Sequence, residues 1–567
     1  MTYLFDRINH SGRCAVCSLV ALMLCTAGLL AAEPGRRYPL MPVRPRRTAA
    51  PPTTFQSLPP MEDLPAVEEL LPAPPSLPVF TQPVPKSGLE ALEHSVSAGP
   101  GHAEPYLGCG VQRVPYFNED FSSDPIYYAL PYDPQGQLSP YEGKTCIPTQ
   151  RPWLELGRPF YDWGQFAPSS TAFGETNLTA PQILLFGDFR TAIASNNNGQ
   201  PRENLIASRL NLELDCKLTS TERFHTSFQP MNKGQDFTRL EWNSQSLEFE
   251  EAFNLRPFTG FFEGDIGAMV GGATGSVLPF ELPVAVGLMP LVFQNGIWLE
   301  DNTVGVAATI PARNSAALDI SNFDITFFHL FDDVTSPAFQ GDNDAGQAYG
   351  IASFYEMLDG YLELDYAYLD DRTELDRSYH NLAAGFTRRY FSWLSNSVRV
   401  IYNVGQDPNG IQQTADGTLL LVENSLITAD PYLFVPYYNG FVGLGRVQSV
   451  ARNGAAGGIL RNTGILFETD NLTNYPTLDP TGVNTFGGAL GVNIIPATIN
   501  RQLIAEYGYV GLLGSADRNV RGAEHGVGLR YQQNLTNAWL FRADTMYGFR
   551  QNDSDICGAR MELRYKF

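Results

Sequence analysis

The last ten residues alternate without a break. Ala559, Met561, Leu563, Tyr565 and Phe567 share one face, and Arg560, Glu562, Arg564 and Lys566 share the other. A period of two marks a β-strand. An apolar face backed by a charged face suits a wall between lipid and water. A soluble edge strand would alternate in the same way, so other segments must decide.

From about residue 182 the alternation recurs. Leu210, Leu212, Leu214, Cys216 and Leu218 oppose Arg209, Asn211, Glu213, Asp215 and Lys217. Leu362, Leu364, Tyr366 and Tyr368 oppose Glu363 and Asp365. Val398, Val400, Tyr402 and Val404 oppose Arg399 and Asn403, and Trp539, Phe541, Ala543, Thr545, Tyr547 and Phe549 oppose Arg542 and Asp544. No sustained helical period interrupts the series. A soluble sandwich is the competing fold. Connection lengths argue against it. Counting back from Phe567, connections at 550–555, 512–523, 446–483, 406–417, 371–378 and 332–346 are each longer than the turns between them, at 534–537, 496–500, 427–430, 391–394 and 358–359. Long and short connections on opposite rims are expected of a membrane barrel and not of a sandwich. At about 20 to 25 residues per strand and connection, the region holds roughly 16 to 18 strands. The expected fold is all-β, a transmembrane antiparallel up-and-down β-barrel over 182–567.

The chain ahead of the barrel divides by composition. Residues 1–32 read as a signal peptide: Arg7 and Arg13 are basic, Ala15 to Ala32 is uncharged and mostly apolar, and Ala31 and Ala32 suit cleavage. Residues 33–104 are a proline-rich leader, expected to be disordered, with contact to the cell wall as the alternative. Residues 105–181 carry Tyr106, Tyr116, Trp153, Phe160 and Trp163 and form either a plug in the lumen or a periplasmic cap. Export permits disulfides, and Cys109 with Cys146 is the expected pair. Cys216, on an apolar face, reads as an inert hydrophobe. The net charge of −22 argues against nucleic-acid binding.

Signal peptide, alternating strands, loop asymmetry and the ending Arg564-Tyr-Lys-Phe567 together resemble a porin-type Gram-negative outer-membrane β-barrel protein. The resemblance covers about 182–567 and implies residence in the cell outer membrane, lipid on the outer face, and a closing strand read by the barrel-assembly machinery. It implies a channel for passive diffusion of small hydrophilic solutes. The proline-rich leader and residues 105–181 depart from compact porins.

No hydrolase, P-loop, zinc or dinucleotide motif is present, so no catalytic residue, cofactor or metal ligand is assigned. The alternatives to a channel are a plugged structural or adhesive surface barrel and, third, an outer-membrane enzyme. Candidate pore-lining residues are Arg209, Glu213, Asp215, Glu263, Asp265, Glu363, Asp365, Arg399, Arg530, Arg542, Arg560 and Arg564. Their signs sort along the chain. Glu263, Asp265, Asp324, Glu363 and Asp365 precede Arg388, Arg399, Arg530, Arg542, Arg560, Arg564 and Lys566, which suggests either charges that simply hydrate the lumen and pair with their neighbours or an acidic wall facing a basic one. Two segments are candidates to narrow the pore, Pro290 to Asp301 and the long connection 446–483. The alternative for each is a loop packed on the rim. Asp342-Asn-Asp344 is a partial calcium pattern that reads better as a solvated acidic face.

Overall fold

The computed structural model describes residues 152–157 and 181–567, apart from 201, 220, 235, 244–245, 277, 341, 429–432, 470, 497–499 and 515–517. The signal peptide, the leader, Cys109 and Cys146 lie outside the described residues.

Antiparallel strands follow one another around a ring. In chain order they are β1 (Gln182–Asn197), β2 (Glu203–Lys217), β3 (Arg223–Phe228), β4 (Pro257–Asp265), β5 (Pro283–Phe293) and β6 (Leu299–Ser315). Next come β7 (Ile320–Asp332), β8 (Gly346–Met357), β9 (Gly360–Asp371), β10 (Tyr379–Tyr390), β11 (Leu394–Val404) and β12 (Thr418–Leu426). The last are β13 (Phe434–Leu444), β14 (Thr485–Ile494), β15 (Arg501–Leu512), β16 (Glu524–Asn534), β17 (Trp539–Arg550) and β18 (Ile556–Lys566). Each pairs with its neighbours, and β18 pairs with β1 from Asp188↔Lys566 to Asn197↔Cys557. The described residues therefore form a closed barrel of 18 strands, which leaves no open edge along the wall. No described helix is long and apolar enough to cross a membrane.

The alternation decides which side of the wall each residue occupies. Leu364, Tyr366, Leu382, Val400, Tyr402, Leu420 and Val442 stay exposed on the outer face. In water so much bare apolar wall would be costly, since each Å² is worth about 25 cal/mol. A sandwich would have buried these residues between its sheets. Asp365, Asn381, Arg399, Asn403, Arg530 and Arg560 are buried on the opposite side.

The two rims differ. On the rim carrying the C terminus, connections are tight. At Leu358–Asp359 both residues have positive φ, 56° and 54°, the geometry that matches the twist of a two-residue hairpin. An exception is a helix, α1 (Ile266–Thr274), capped by the Asp265 carboxylate accepting from Ala268 N–H and closed by Gly275 at φ 66°. The opposite rim carries the longer loops.

At the seam, Gly187 and Phe567 exchange backbone hydrogen bonds of 2.9 and 3.0 Å. Below that point β1 still pairs with β2 but has no β18 residue on its other edge. Leu154–Gly157, from the segment ahead of the barrel, pairs there with Gln182 to Leu185. The neighbouring Trp153 ring stacks on Phe567 at 3.5 Å.

Candidate constriction inside the barrel

Both candidate segments fold inward. The first is the tip of the β5–β6 hairpin. Gln294 and Asn295 take positive φ, 50° and 54°, which turns the chain tightly. The tip then reaches β9–β11. Gln294 Nε2 donates to Asp365 at 2.6 Å, Arg399 Nε donates to Gln294 Oε1 at 2.8 Å, and Trp298 Nε1 donates to Asn381 Oδ1 at 3.0 Å. Trp298 is fully buried, packed beside Phe293 and Phe328. Its apolar surface drives the tip inward, and its N–H finds a partner there.

The second segment is a strap, residues 446–483, that crosses the lumen. Near its start, Asn381 and Asn403 each donate to the Gln448 carbonyl, at 3.0 and 3.1 Å. Val450 N–H donates to Trp298 O at 2.8 Å, and Ala451 and Arg452 add a parallel ladder to Leu299 and Glu300, so strap and hairpin form one body. Midway, the Glu506 carboxylate of β15 accepts from the Ile465 and Leu466 N–H groups, both at 2.9 Å. On the far side, Asn198 Nδ2 donates to Asn474 O at 2.9 Å, and Leu472 packs among Ala192, Ala194, Leu205 and Ala207 of β1 and β2. Backbone groups taken from water must find partners, and these wall amides and carboxylates supply them.

The wall makes room for the strap with glycine. A Cβ on Gly508 would stand 2.9 Å from Leu478 and 3.0 Å from Leu466, and one on Gly558 would stand 2.6 Å from Pro476. Inward-phase glycines on β15–β18 are the signal that sequence reading missed. In a strand they mark close approach of another chain segment.

Around this body the charges form two sectors. On β16–β18 and β1–β2, Asp544 accepts from Arg530 Nε at 2.7 Å, Arg542 Nε at 2.8 Å and Arg560 Nε at 3.0 Å. Glu468 of the strap bridges Arg530 and Arg542. Burial alone would raise the Glu468 carboxyl. The neighbouring Arg530 and Arg542 overcome it and hold the group below its ordinary value. Arg190, Arg209 and Arg564 continue the sector toward the C-terminal rim, with Asp188 salt-bridged to Arg190 and Glu562 to Arg564. On β9–β12, Arg399 pairs with Glu423 at 2.8 Å and lies 3.7 Å from Glu363, with Asp365 beneath Gln294. In a ring of 18 strands, β18 stands opposite β9, so the two sectors face each other. Water reaches Glu363 (26% exposed), Arg190 (25%) and Glu468 (38%).

The remaining charged candidates are each held by a partner. Asp265 caps α1 at the rim instead of lining the lumen, because its carboxylate is spent on Ala268 and Leu282 N–H groups. Glu263 pairs with Arg223 at 2.8 Å. Arg399 belongs to the acidic sector rather than to the wall opposite, where it is the central counter-ion. Arg388 shares the outward phase of His380 and pairs with Asp359 at the rim. Glu213 holds the His225 ring at 3.0 Å, and Asp215 lies 3.5 Å from Arg223. Cys216 is a free thiol. Among the described residues no group of His, Cys, Asp and Glu is arranged to hold a metal ion.

On the long-loop side of the strap lies a cavity of about 680 Å³, lined by Gln340, Gln413, Gln448, Arg452, Asn453 and Arg518 among others. The Arg452 guanidinium is buried and donates to the carbonyls of Gly296, Gly457 and Gly458.

No protein-family model matches the sequence, and no curated protein matches it. Solved structures do show likeness. Pseudomonas aeruginosa OccK5 (OpdH) is 11% identical, with 68% of this chain and 98% of that chain covered and a TM-score of 0.43. The outer membrane protein OpdK of the same organism is 10% identical, with 68% and 98% covered and a TM-score of 0.44. Acinetobacter baumannii OccAB4 is 9% identical, with 68% and 97% covered and a TM-score of 0.45. The strand pairing of this chain is itself what establishes its fold: a closed antiparallel barrel.

Proposed function

We propose that the protein is a channel of the cell outer membrane that passes small hydrophilic solutes by passive diffusion, narrowed from within by the hairpin and the strap. The apolar outer face supports a lipid environment. The observation that carries the reading is the lumen itself, where sectors of opposite sign face each other and keep contact with water. A field across the passage would orient dipolar solutes as they cross. Liposome swelling with purified protein tests this. Swelling in small sugars and amino acids is expected, and a barrel that is inserted but admits neither would overturn the reading.

One observation favours a second reading, a closed structural or adhesive barrel. Strap and wall share a continuous apolar core, with Val447, Leu460, Leu466, Phe467 and Leu478 all buried. Flux that begins only after removal of 453–479 would favour that reading with the strap as the plug. Flux that begins only after removal of 33–180 would place the plug in the segment ahead of the barrel. The C-terminal strand is proposed to be read by the barrel-assembly machinery, and the leader to touch the cell wall.

A further inference from the structure

Among the described residues the histidines divide by side. His225 is in the lumen, held by Glu213. His329, His380 and His525 lie on the outer face, close to the ends of their strands on the long-loop rim. His380 and His525 repeat one arrangement. Each is the second residue of a descending strand and stands directly opposite the second tyrosine of a Tyr-x-Tyr pair, Tyr368 and Tyr509 respectively. In each, the first tyrosine reaches diagonally to Nδ1: Tyr366 Oη lies 2.9 Å from His380 Nδ1, and Tyr507 Oη lies 2.7 Å from His525 Nδ1. The second tyrosine ring sits beside the imidazole, at 5.1 and 4.9 Å between centroids.

This arrangement selects a tautomer. A phenol is a good donor and a poor acceptor, so its O–H donates to Nδ1, and the ring proton sits on Nε2. Both imidazoles are exposed, and neither Nε2 has a partner among the described residues. Each barrel face thus presents a fixed N–H donor at the upper edge of its apolar wall. From His380 to Arg388 the outward positions His380, Leu382, Ala384, Phe386 and Arg388 run down one strand, a length of about 26 Å at 3.3 Å per residue. With barrel tilt, that is close to the height of a bilayer's apolar band. The opposite rim is built differently, from Trp393 with Phe391 and from Trp539 with Tyr565, and has no outward histidine among the described residues.

We infer that His380 and His525 bind the phosphate groups of lipid headgroups in the leaflet on the long-loop side. A donor at the edge of a lipid-facing wall meets headgroups and little else, and a charged phosphate oxygen is a stronger acceptor than a sugar hydroxyl. The Asp370 carboxylate, next above on the same face as His380, is engaged by Gln347 Nε2 at 2.8 Å. His329 takes no part: it lies flat on Tyr349 at 4.3 Å, and its Nε2 is covered. The inference rests on the barrel residing in a bilayer and does not require that it conduct.

The full-length protein, inserted into vesicles of mixed phosphatidylglycerol and digalactosyldiacylglycerol, is released into detergent, and its retained lipids are counted by native mass spectrometry. Wild type should retain the phospholipid in preference to the phosphate-free glycolipid. The paired variant His380→Phe with His525→Phe keeps the aromatic rings and should lose that preference by roughly fivefold per site. The paired variant His380→Gln with His525→Gln keeps an N–H donor and should restore part of it. Equal retention of both lipids by wild type, or an unchanged preference in the Phe pair, overturns the inference and leaves the channel reading intact. Failure of wild type to float with the vesicles overturns both.

Discussion

The two charged sectors are built as inverses of each other. In the basic one, the buried acid Asp544 is ringed by Arg530, Arg542 and Arg560. In the acidic one, a single buried base, Arg399, is ringed by Glu363 and Glu423. Each minority charge is almost fully shielded, with side-chain exposures of 4% for Asp544 and 1% for Arg399. Each is also where an infolded segment docks. Glu468 and Tyr475 of the strap engage the arginines, and Gln294 of the hairpin engages Arg399. A wall of one sign repels itself, and one buried counter-charge both relieves that and gives an incoming loop something to bind. The sectors differ in what surrounds the centre. Asp544 has charged partners on every side, whereas Arg399 shares its contacts with the neutral Gln294.

That difference ranks the outcomes. Asp544→Asn leaves several guanidinium groups facing one another in partial burial. The refolded barrel should lose about 3–5 kcal/mol in urea unfolding. Arg399→Met preserves volume and frees Glu363 and Glu423, which already touch water. Its cost should be smaller, about 1–3 kcal/mol, and single-channel conductance should rise as the hairpin loosens. Equal losses in the two variants would break the comparison. Glu506→Gln should cost no more than Arg399→Met, about 1–2 kcal/mol, because the carboxylate accepts Leu466 N–H on Oε1 and Ile465 N–H on Oε2, and the amide oxygen keeps only one of the two.

The smallest effect belongs to Glu468, whose half-exposed carboxylate is screened by water. Its carboxyl is held below the ordinary 4.5 once the strap is docked. The docked state is therefore favoured fully above that value and loses the favour as pH falls through the lowered one. Conductance should rise only on the acid side of the ordinary glutamate value. Glu468→Gln should abolish that step, and a pH profile identical to wild type would refute the assignment of the strap's anchor.

Much of this is legible in the sequence. Period-two phase separated Leu364 and Tyr366 from Glu363 and Asp365, and the structure keeps them on opposite sides. The asymmetry of the connections was visible back to residue 332, and both candidate constriction segments were visible as an apolar turn and an overlong loop. The misplacements have two causes. Arg399 groups in sequence with the arginines after it, but order along the chain does not give position around a ring. Asp265 was read by its phase in the strand, but it is the strand's last residue, and there the helix behind it claims the carboxylate. The inward glycines at 508, 526, 528 and 558 lie against Leu466, Leu478 and Pro476 of the strap, but glycine in a strand does not say what approaches it.

By itself, the sequence determined the strands, their two faces and the long and short rims, because alternation and turn chemistry act between residues a few positions apart. The tertiary structure decided which loops enter the lumen and which charges meet there. Arg399 finds Gln294 across 105 positions, and Asn196 finds Thr473 across 277. Such partners become neighbours only when the ring closes, since no local period encodes a distance measured across a barrel.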